Sequence, residues 1–113
     1  MKIIDQQLTR GELERMAAGT FGDLVKAVVD VDKEIIALDA ELHSDLEALL
    51  LEKGSKQQNL WGVNLYPEMK GDYLIEFDSM INMRPSWGNK SRGVDDTRLR
   101  GKIMEIIAKR IER

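Results

Sequence analysis

The segment from Tyr73 to Arg84 constrains the fold most, because apolar and polar residues alternate along it with a period of two. Such alternation is typical of a β-strand, whose successive side chains point to opposite faces of a sheet. One face carries Tyr73, Ile75, Phe77, Ile81 and Met83, with Ser79 as the polar exception. The other face carries Glu76, Asp78, Asn82 and Arg84. The pattern predicts a sheet with one covered face and one face open to water or to a ligand.

Two other segments also have strand character. Leu24 to Ala40 is predicted to be a β-hairpin with its turn at Asp32 and Lys33, because β-branched residues are dense on both sides of that turn. Asn59 to Tyr66 is predicted to be a strand that Pro67 ends, since proline has no N–H for the ladder. Together with the first segment they predict four strands in two hairpins, with mainly antiparallel neighbours.

Three segments predict helices. Leu8 to Gly22 and Ser44 to Lys53 each begin with a capping box, in which a Ser or Thr side chain and a Glu three residues later satisfy free backbone N–H groups. The two boxes pair Thr9 with Glu12 and Ser44 with Glu47. The last helix is predicted to start at Asp95, and leucine and isoleucine recur behind it at helical spacing.

These elements predict one α+β domain over residues 1–113. Its order is α-β-β-α-β-β-α, and three helices pack on a mainly antiparallel four-stranded sheet in two layers. Residues 2–6 form a short edge strand or an arm. A length of 113 residues suits a single hydrophobic core.

Composition narrows the functional classes. The chain has no cysteine, which excludes thiolate metal sites and a cysteine nucleophile. No apolar run is long enough for a membrane helix, so we expect a soluble cytoplasmic protein with no membrane partner. A net charge of −3 provides no overall attraction to nucleic acid, so an RNA contact would need a local basic patch.

The only such patch is the loop before the last helix, residues 84–93, where glycines flank a basic sequence. Backbone N–H groups and cationic side chains at a helix N-terminus bind anions. We therefore expect an anion or phosphate ligand, from a nucleotide or RNA, at this loop. The predicted contacts are Asn82, Arg84, Trp87, Asn89, Lys90, Ser91 and Arg92. Asp95 and Asp96 oppose this hypothesis, because they already occupy the helix start.

Two alternatives stay open. Glu76 and Asp78 on one strand face, with His43, could support a metal-assisted hydrolase or nuclease. A solvent-facing strand would carry the same acids, and a single histidine excludes a two-histidine metal site within the chain. No metal site or cofactor is therefore assigned, and catalysis is left open. The other alternative is a protein-interaction module or accessory subunit, with a homodimer as one form.

Four runs of the sequence resemble a family of short prokaryotic proteins classed only as a domain of unknown function. The runs are Thr-Phe-Gly-Asp-Leu-Val-Lys-Ala-Val-Val-Asp (20–30), Glu-Leu-His-Ser-Asp (41–45), Leu-Trp-Gly-Val-Asn-Leu-Tyr-Pro (60–67) and Glu-Phe-Asp-Ser-Met-Ile-Asn-Met-Arg-Pro-Ser-Trp-Gly-Asn-Lys-Ser-Arg-Gly-Val (76–94). The resemblance covers nearly the whole chain and implies a complete protein. It transfers no catalytic residues.

Overall fold

The computed structural model, which describes residues 1–112, is an α+β fold built on a five-stranded antiparallel sheet. The strands are β1 (Lys2–Ile4), β2 (Val25–Asp30), β3 (Ile35–Leu38), β4 (Leu60–Leu65) and β5 (Ile75–Glu76). The helices are α1 (Arg10–Gly19), α2 (His43–Glu52) and α3 (Thr97–Arg110). Across the sheet the strand order is β1-β3-β2-β4-β5. The α+β class and the three helices are confirmed. The sheet has five strands rather than the predicted four, and the order of elements differs because β1 precedes the first helix.

The β2–β3 hairpin is confirmed, and its turn is organised by a buried carboxylate at the end of β2. Asp30 Oδ1 accepts from the backbone N–H groups of Asp32 (2.9 Å) and Lys33 (3.0 Å), and Oδ2 accepts from the Ser55 hydroxyl (2.6 Å). An aspartate that bonds the following backbone substitutes for a glycine-rich turn sequence.

Both faces of the sheet are covered, so the two-layer prediction was wrong. Alternate residues of β2 divide between two cores: Val25, Ala27 and Val29 pack with α1 and α3, whereas Val28 packs with Leu46 and Leu50 of α2. A face with only a few apolar residues still buries a short helix, and α2 needs only that patch. The molecule therefore has three layers, with α2 alone on one side.

The predicted strand from Tyr73 to Arg84 was wrong for most of its length. Only Ile75–Glu76 pairs with β4, and 3₁₀ turns occupy Gly71–Leu74, Met80–Asn82 and Pro85–Trp87. Alternation of residue types occurs by chance in a chain of short turns, and it does not show whether a neighbouring strand is there to pair.

Helix starts differ by one or two residues from the predictions, and one difference shapes the site. The Thr9–Glu12 box of α1 is confirmed, with Glu12 N–H donating to Thr9 Oγ1 at 3.1 Å. The start of α3 is capped by Asp96 rather than by Asp95. In α2 the N-cap residue is Leu42, which provides no side-chain hydrogen bond, so the predicted Ser44 cap was wrong. No helix in residues 1–112 combines the length and apolar character that a membrane crossing requires.

Candidate functional site

Two buried asparagines hold the segment after β5 against the sheet. The Asn82 amide, 0% exposed, accepts from Gly62 N–H (2.8 Å) and donates to Gly62 C=O (2.9 Å) and Arg92 C=O (2.9 Å). Asn89 Nδ2 donates to the carbonyls of Asn82 (2.7 Å) and Gly93 (2.9 Å). Both amides of the predicted ligand site are thus engaged within the chain.

Arg84 is likewise engaged inside the protein. It is 8% exposed, and its guanidinium donates to Leu60 C=O at 2.6 Å and pairs with Glu47 at 3.4 Å. The group stacks between the rings of Trp61 and Trp87, at 4.7 and 5.4 Å from their centres. Burial lowers the pKa of Arg84 from its usual value, and Glu47 opposes that shift.

The N-terminus of α3 is occupied by the chain's own acids. Asp96 accepts from the backbone N–H groups of Arg98 (2.9 Å) and Leu99 (3.3 Å). Asp95 accepts from the Ser91 hydroxyl (2.5 Å) and from the backbone N–H of Lys90 (2.8 Å). These bonds lower the pKa of Asp95, and the bond from Ser91 has the largest effect. An anion at this helix start would have to displace these carboxylates.

Arg92 is a predicted ligand contact that lines a cleft at the start of α2. Its Nε lies 2.6 Å from Asp78 Oδ1, and both residues line a cleft of about 250 Å³ on the α2 side of the sheet. The other polar walls of this cleft come from Lys26, His43, Ser44, Asn64 and Ser79. The structure therefore brings together the basic loop, the acidic strand end and the single histidine.

Two residues that line the cleft, Lys26 and Asn64, belong to a row of polar side chains across three strands. Lys26 of β2 lies opposite Asn64 of β4, and Asn64 lies opposite Glu76 of β5. Residues paired in register stand side by side on the same face of a sheet. The cleft therefore lies between the start of α2 and the polar part of this face of the sheet.

His43 forms one wall and is held by the sheet. Its Nε2 lies 2.8 Å from Val63 C=O. Because a carbonyl only accepts, Nε2 carries the proton and Nδ1 keeps its lone pair. Burial is the largest influence on the pKa of His43 and lowers it, Lys26 and Arg92 add to that effect, and the Val63 carbonyl and Asp78 oppose it. Burial thus favours the neutral imidazole.

Gly62 permits this close approach of His43. A Cβ atom at Gly62 would lie 2.6 Å from Ser79 Cβ and 3.2 Å from His43 Cδ2. Glycine inside a strand often marks a place where another group comes close to the backbone.

The matching family model spans residues 2–110 and is described as a protein of unknown function, DUF5674. The chain belongs to the DUF5674 family. No curated protein and no solved structure matches it. The predicted resemblance to a family of unknown function is confirmed.

In this DUF5674 protein the start of α2 supplies the electrostatics of the cleft. The first N–H groups of a helix have no acceptor inside the helix and carry partial positive charge. At α2 no side chain caps them, and Leu42, His43 and Ser44 all line the cleft. With Lys26 and Arg92 against Asp78, the cleft has one excess positive charge in a chain of net charge −3.

The acids predicted for catalysis separate in the structure. Asp78 shares the cleft with His43, whereas Glu76 Oε1 is held by Asn64 Nδ2 (2.8 Å) and the Tyr66 hydroxyl (2.9 Å). Burial and Glu76 raise the pKa of Tyr66 to about 12. Within residues 1–112, no three His, Asp or Glu side chains are grouped to hold a metal ion.

Trp87 and Lys90 lie away from the cleft. Trp87 is 55% exposed and borders a second groove, of about 350 Å³, with Met80, Met83 and Arg84. The Lys90 side chain is exposed. The protein-interaction hypothesis rests on this second groove.

Sequence reasoning missed Lys26, Ser44 and Asn64 as site residues. A signal was present: Lys26 and Asn64 interrupt otherwise apolar strands, and Gly62 stands inside a strand two positions before Asn64. Joining these signals required the register between β2 and β4, which the sequence does not state.

Proposed function

We propose that this protein binds a small anion in the cleft at the start of α2. The first candidate for this anion is a phosphate group. The observation that carries the proposal is the uncapped N-terminus of α2 opening into a cleft that also holds Lys26 and Arg92. Free helical N–H groups with a cationic side chain beside them form an anion site.

A second observation supports a ligand. Asn64 lines the cleft and is 6% exposed, and its Oδ1 has no hydrogen-bond partner within residues 1–112. A buried polar atom is paired in most proteins, so an unpaired one at a cleft favours an occupant that supplies the missing partner.

The proposed site keeps part of the predicted loop and changes its centre. Arg92 is retained, and Lys26 replaces Lys90 as the second cation. Asn82, Arg84 and Asn89 position the loop, and Ser91 holds Asp95, so their role is to present Arg92.

The size of the cleft sets the ligand class. Its volume is about 250 Å³, below the roughly 300–1,000 Å³ of clefts that enclose drug-sized ligands. A phosphate or carboxylate with a few more atoms fits this volume. A nucleotide would leave its base outside.

The test is a titration with inorganic phosphate, followed by two-dimensional ¹H–¹⁵N NMR. We expect the amide signals of His43 and Ser44 to shift, and Lys26→Met to weaken binding about ten-fold, the loss of one charge-assisted contact. Lys56→Met, which removes an exposed lysine outside the cleft, should bind as the wild type does. Shifts confined to residues 84–93, or none, would overturn the proposal.

Hydrolysis of the bound ligand is a second candidate, favoured by the neutral His43 beside Asp78. A base with a free lone pair next to an anion site is suited to accept a proton from water. If a phosphate monoester is hydrolysed and His43→Gln abolishes turnover while keeping phosphate binding, the protein is an enzyme. Binding without turnover assigns it as a binding protein.

A further inference from the structure

The orientation of the Asn64 amide is determined by its neighbours. Nδ2 donates to Glu76 Oε1 at 2.8 Å and to Asp78 C=O at 3.4 Å. The reversed amide would place Oδ1 against two acceptors, so the assignment of oxygen and nitrogen is fixed. The unpaired atom is therefore an acceptor, and a donor group of a ligand would satisfy it.

His43 offers a second acceptor to the same cleft. Its Nε2 donates to Val63 C=O, and Cδ2 is the ring atom closest to Gly62 on the sheet. Nδ1 lies on the opposite edge of the ring from Cδ2 and is an acceptor in the neutral imidazole. Both acceptors, Asn64 Oδ1 and His43 Nδ1, are uncharged.

Resting on the anion binding proposed above, we infer that the ligand carries a hydroxyl group close to its anionic group. The anionic end faces the start of α2, Lys26 and Arg92, and the hydroxyl donates to Asn64 Oδ1. A hydroxyl fits these acceptors better than an ammonium group does. Neutral acceptors stabilise an ammonium weakly, and Lys26, directly across from Asn64, repels it.

The chemical class is thus a small hydroxylated phosphate or carboxylate, such as a polyol phosphate or a hydroxy acid. The cleft volume of about 250 Å³ accommodates two to four carbon atoms beside one phosphate group. The specificity would come from the cost of leaving a buried acceptor unpaired. A ligand with a hydroxyl group avoids that cost, whereas a ligand with a hydrogen atom in its place does not.

The experiment compares two probes that differ by one hydroxyl, 2-hydroxyethyl phosphate and ethyl phosphate, by NMR titration of the full chain. We expect the hydroxylated probe to bind about ten-fold tighter, the value of one hydrogen bond to a buried acceptor. In Asn64→Leu, which is nearly isosteric but has no acceptor, this preference should fall to about two-fold or less.

The outcomes separate the inference from the proposed function. If both probes bind wild-type protein equally, the hydroxyl inference is overturned and anion binding stands. If neither binds, both are overturned. The wild-type comparison decides the question even if Asn64→Leu fails to fold. An aminoethyl phosphate that binds tighter than the hydroxyethyl compound would also overturn the inference.

Discussion

At the scale of single residues, a side-chain amide forms the hydrogen bonds that backbone groups form elsewhere in a sheet. Asn82 pairs with both the N–H and the C=O of Gly62, the two groups that a neighbouring strand would engage. One residue thereby anchors the loop that carries Arg92. The alternation of residue types in the sequence predicted that Asn82 lies on an open face. Alternation indicates which residues are polar, but it does not indicate which buried backbone groups need hydrogen-bond partners.

Replacing Asn82 with alanine should destabilise the protein strongly. The change leaves Gly62 N–H and C=O without partners, and each unpaired buried group costs about 1–3 kcal/mol. We therefore expect a loss of about 3 kcal/mol in the free energy of unfolding by urea denaturation. Gln58→Ala, at an exposed amide, should change it by less than about 0.5 kcal/mol. Equal effects of the two changes would contradict this role.

His43 should titrate below the usual histidine range. It is the only histidine, so a single imidazole signal reports it by NMR. Burial lowers its pKa below the ordinary value of 6.5, and the charged groups facing it are Lys26, Asp78 and Arg92. We expect a midpoint below 6.5; a midpoint at or above that value would show that the imidazole is hydrated.

The same shift makes the stability depend on pH. Below pH 6.5 the unfolded chain binds a proton at His43 more readily than the folded chain does. Stability that is present above pH 6.5 is therefore lost as the pH falls below that value. His43→Gln should show a smaller loss between neutral and mildly acidic pH, measured by urea denaturation.

At the scale of elements, the helices and the first hairpin were predictable and the last strand was not. Local signals such as the Thr9–Glu12 box need only neighbouring residues, and they held for α1. The length of β5 depends on what else bonds to β4. The Asn82 amide and the Arg84 guanidinium take the backbone groups of β4 at Gly62 and Leu60, so no strand continues there.

The site was predictable only in part for a similar reason. Arg92 was predicted as a ligand contact and Asp78 as a catalytic candidate, and 14 positions separate them along the chain. Lys26 and Asn64 become neighbours only through the register of β2 with β4. A difference of one residue at the start of α2 brings His43 into the helix, and the uncapped start of that helix lines the cleft.

Gly62 and Gly101 provide a test of opposite sign. In Gly62→Ala the new Cβ would lie 2.6 Å from Ser79 Cβ, so we expect a loss of about 1–3 kcal/mol from overpacking. Gly101 lies inside α3, and a Cβ added there would have no atom within 4 Å. In Gly101→Ala we therefore expect the free energy of unfolding to rise by about 0.5–1 kcal/mol. Thermal denaturation measures both, and a neutral Gly62→Ala would show that His43 and Ser79 pack more loosely on the sheet.

At the scale of the whole molecule, the positive cleft stands against a negative overall charge of −3. The attraction that we propose for an anion is therefore local, and Lys26, Arg92 and one helix terminus would supply it. A long polyanion would meet the surrounding negative field as well. These opposing fields distinguish a small phosphate from RNA.

Phosphate affinity should fall by roughly three-fold when NaCl is raised from about 0.05 to about 0.5 M, since the Debye length shortens. Single-stranded RNA should not displace phosphate at either salt concentration, because the net charge repels it. A competition titration measures both effects. Displacement by RNA that Lys90→Met abolishes would instead favour the loop at residues 84–93 as the ligand site.

The side-chain bonds to β4 have a further consequence for solubility. A strand with free N–H and C=O groups along its edge is a template onto which a second chain can add, and such addition leads to fibres. In this protein, Asn82 and Arg84 form hydrogen bonds with backbone groups in the part of β4 that does not pair with β5. The outermost strands, β1 and β5, have only three and two residues. The same contacts that hold the loop over the cleft also remove the longest surface on which copies of this chain could aggregate.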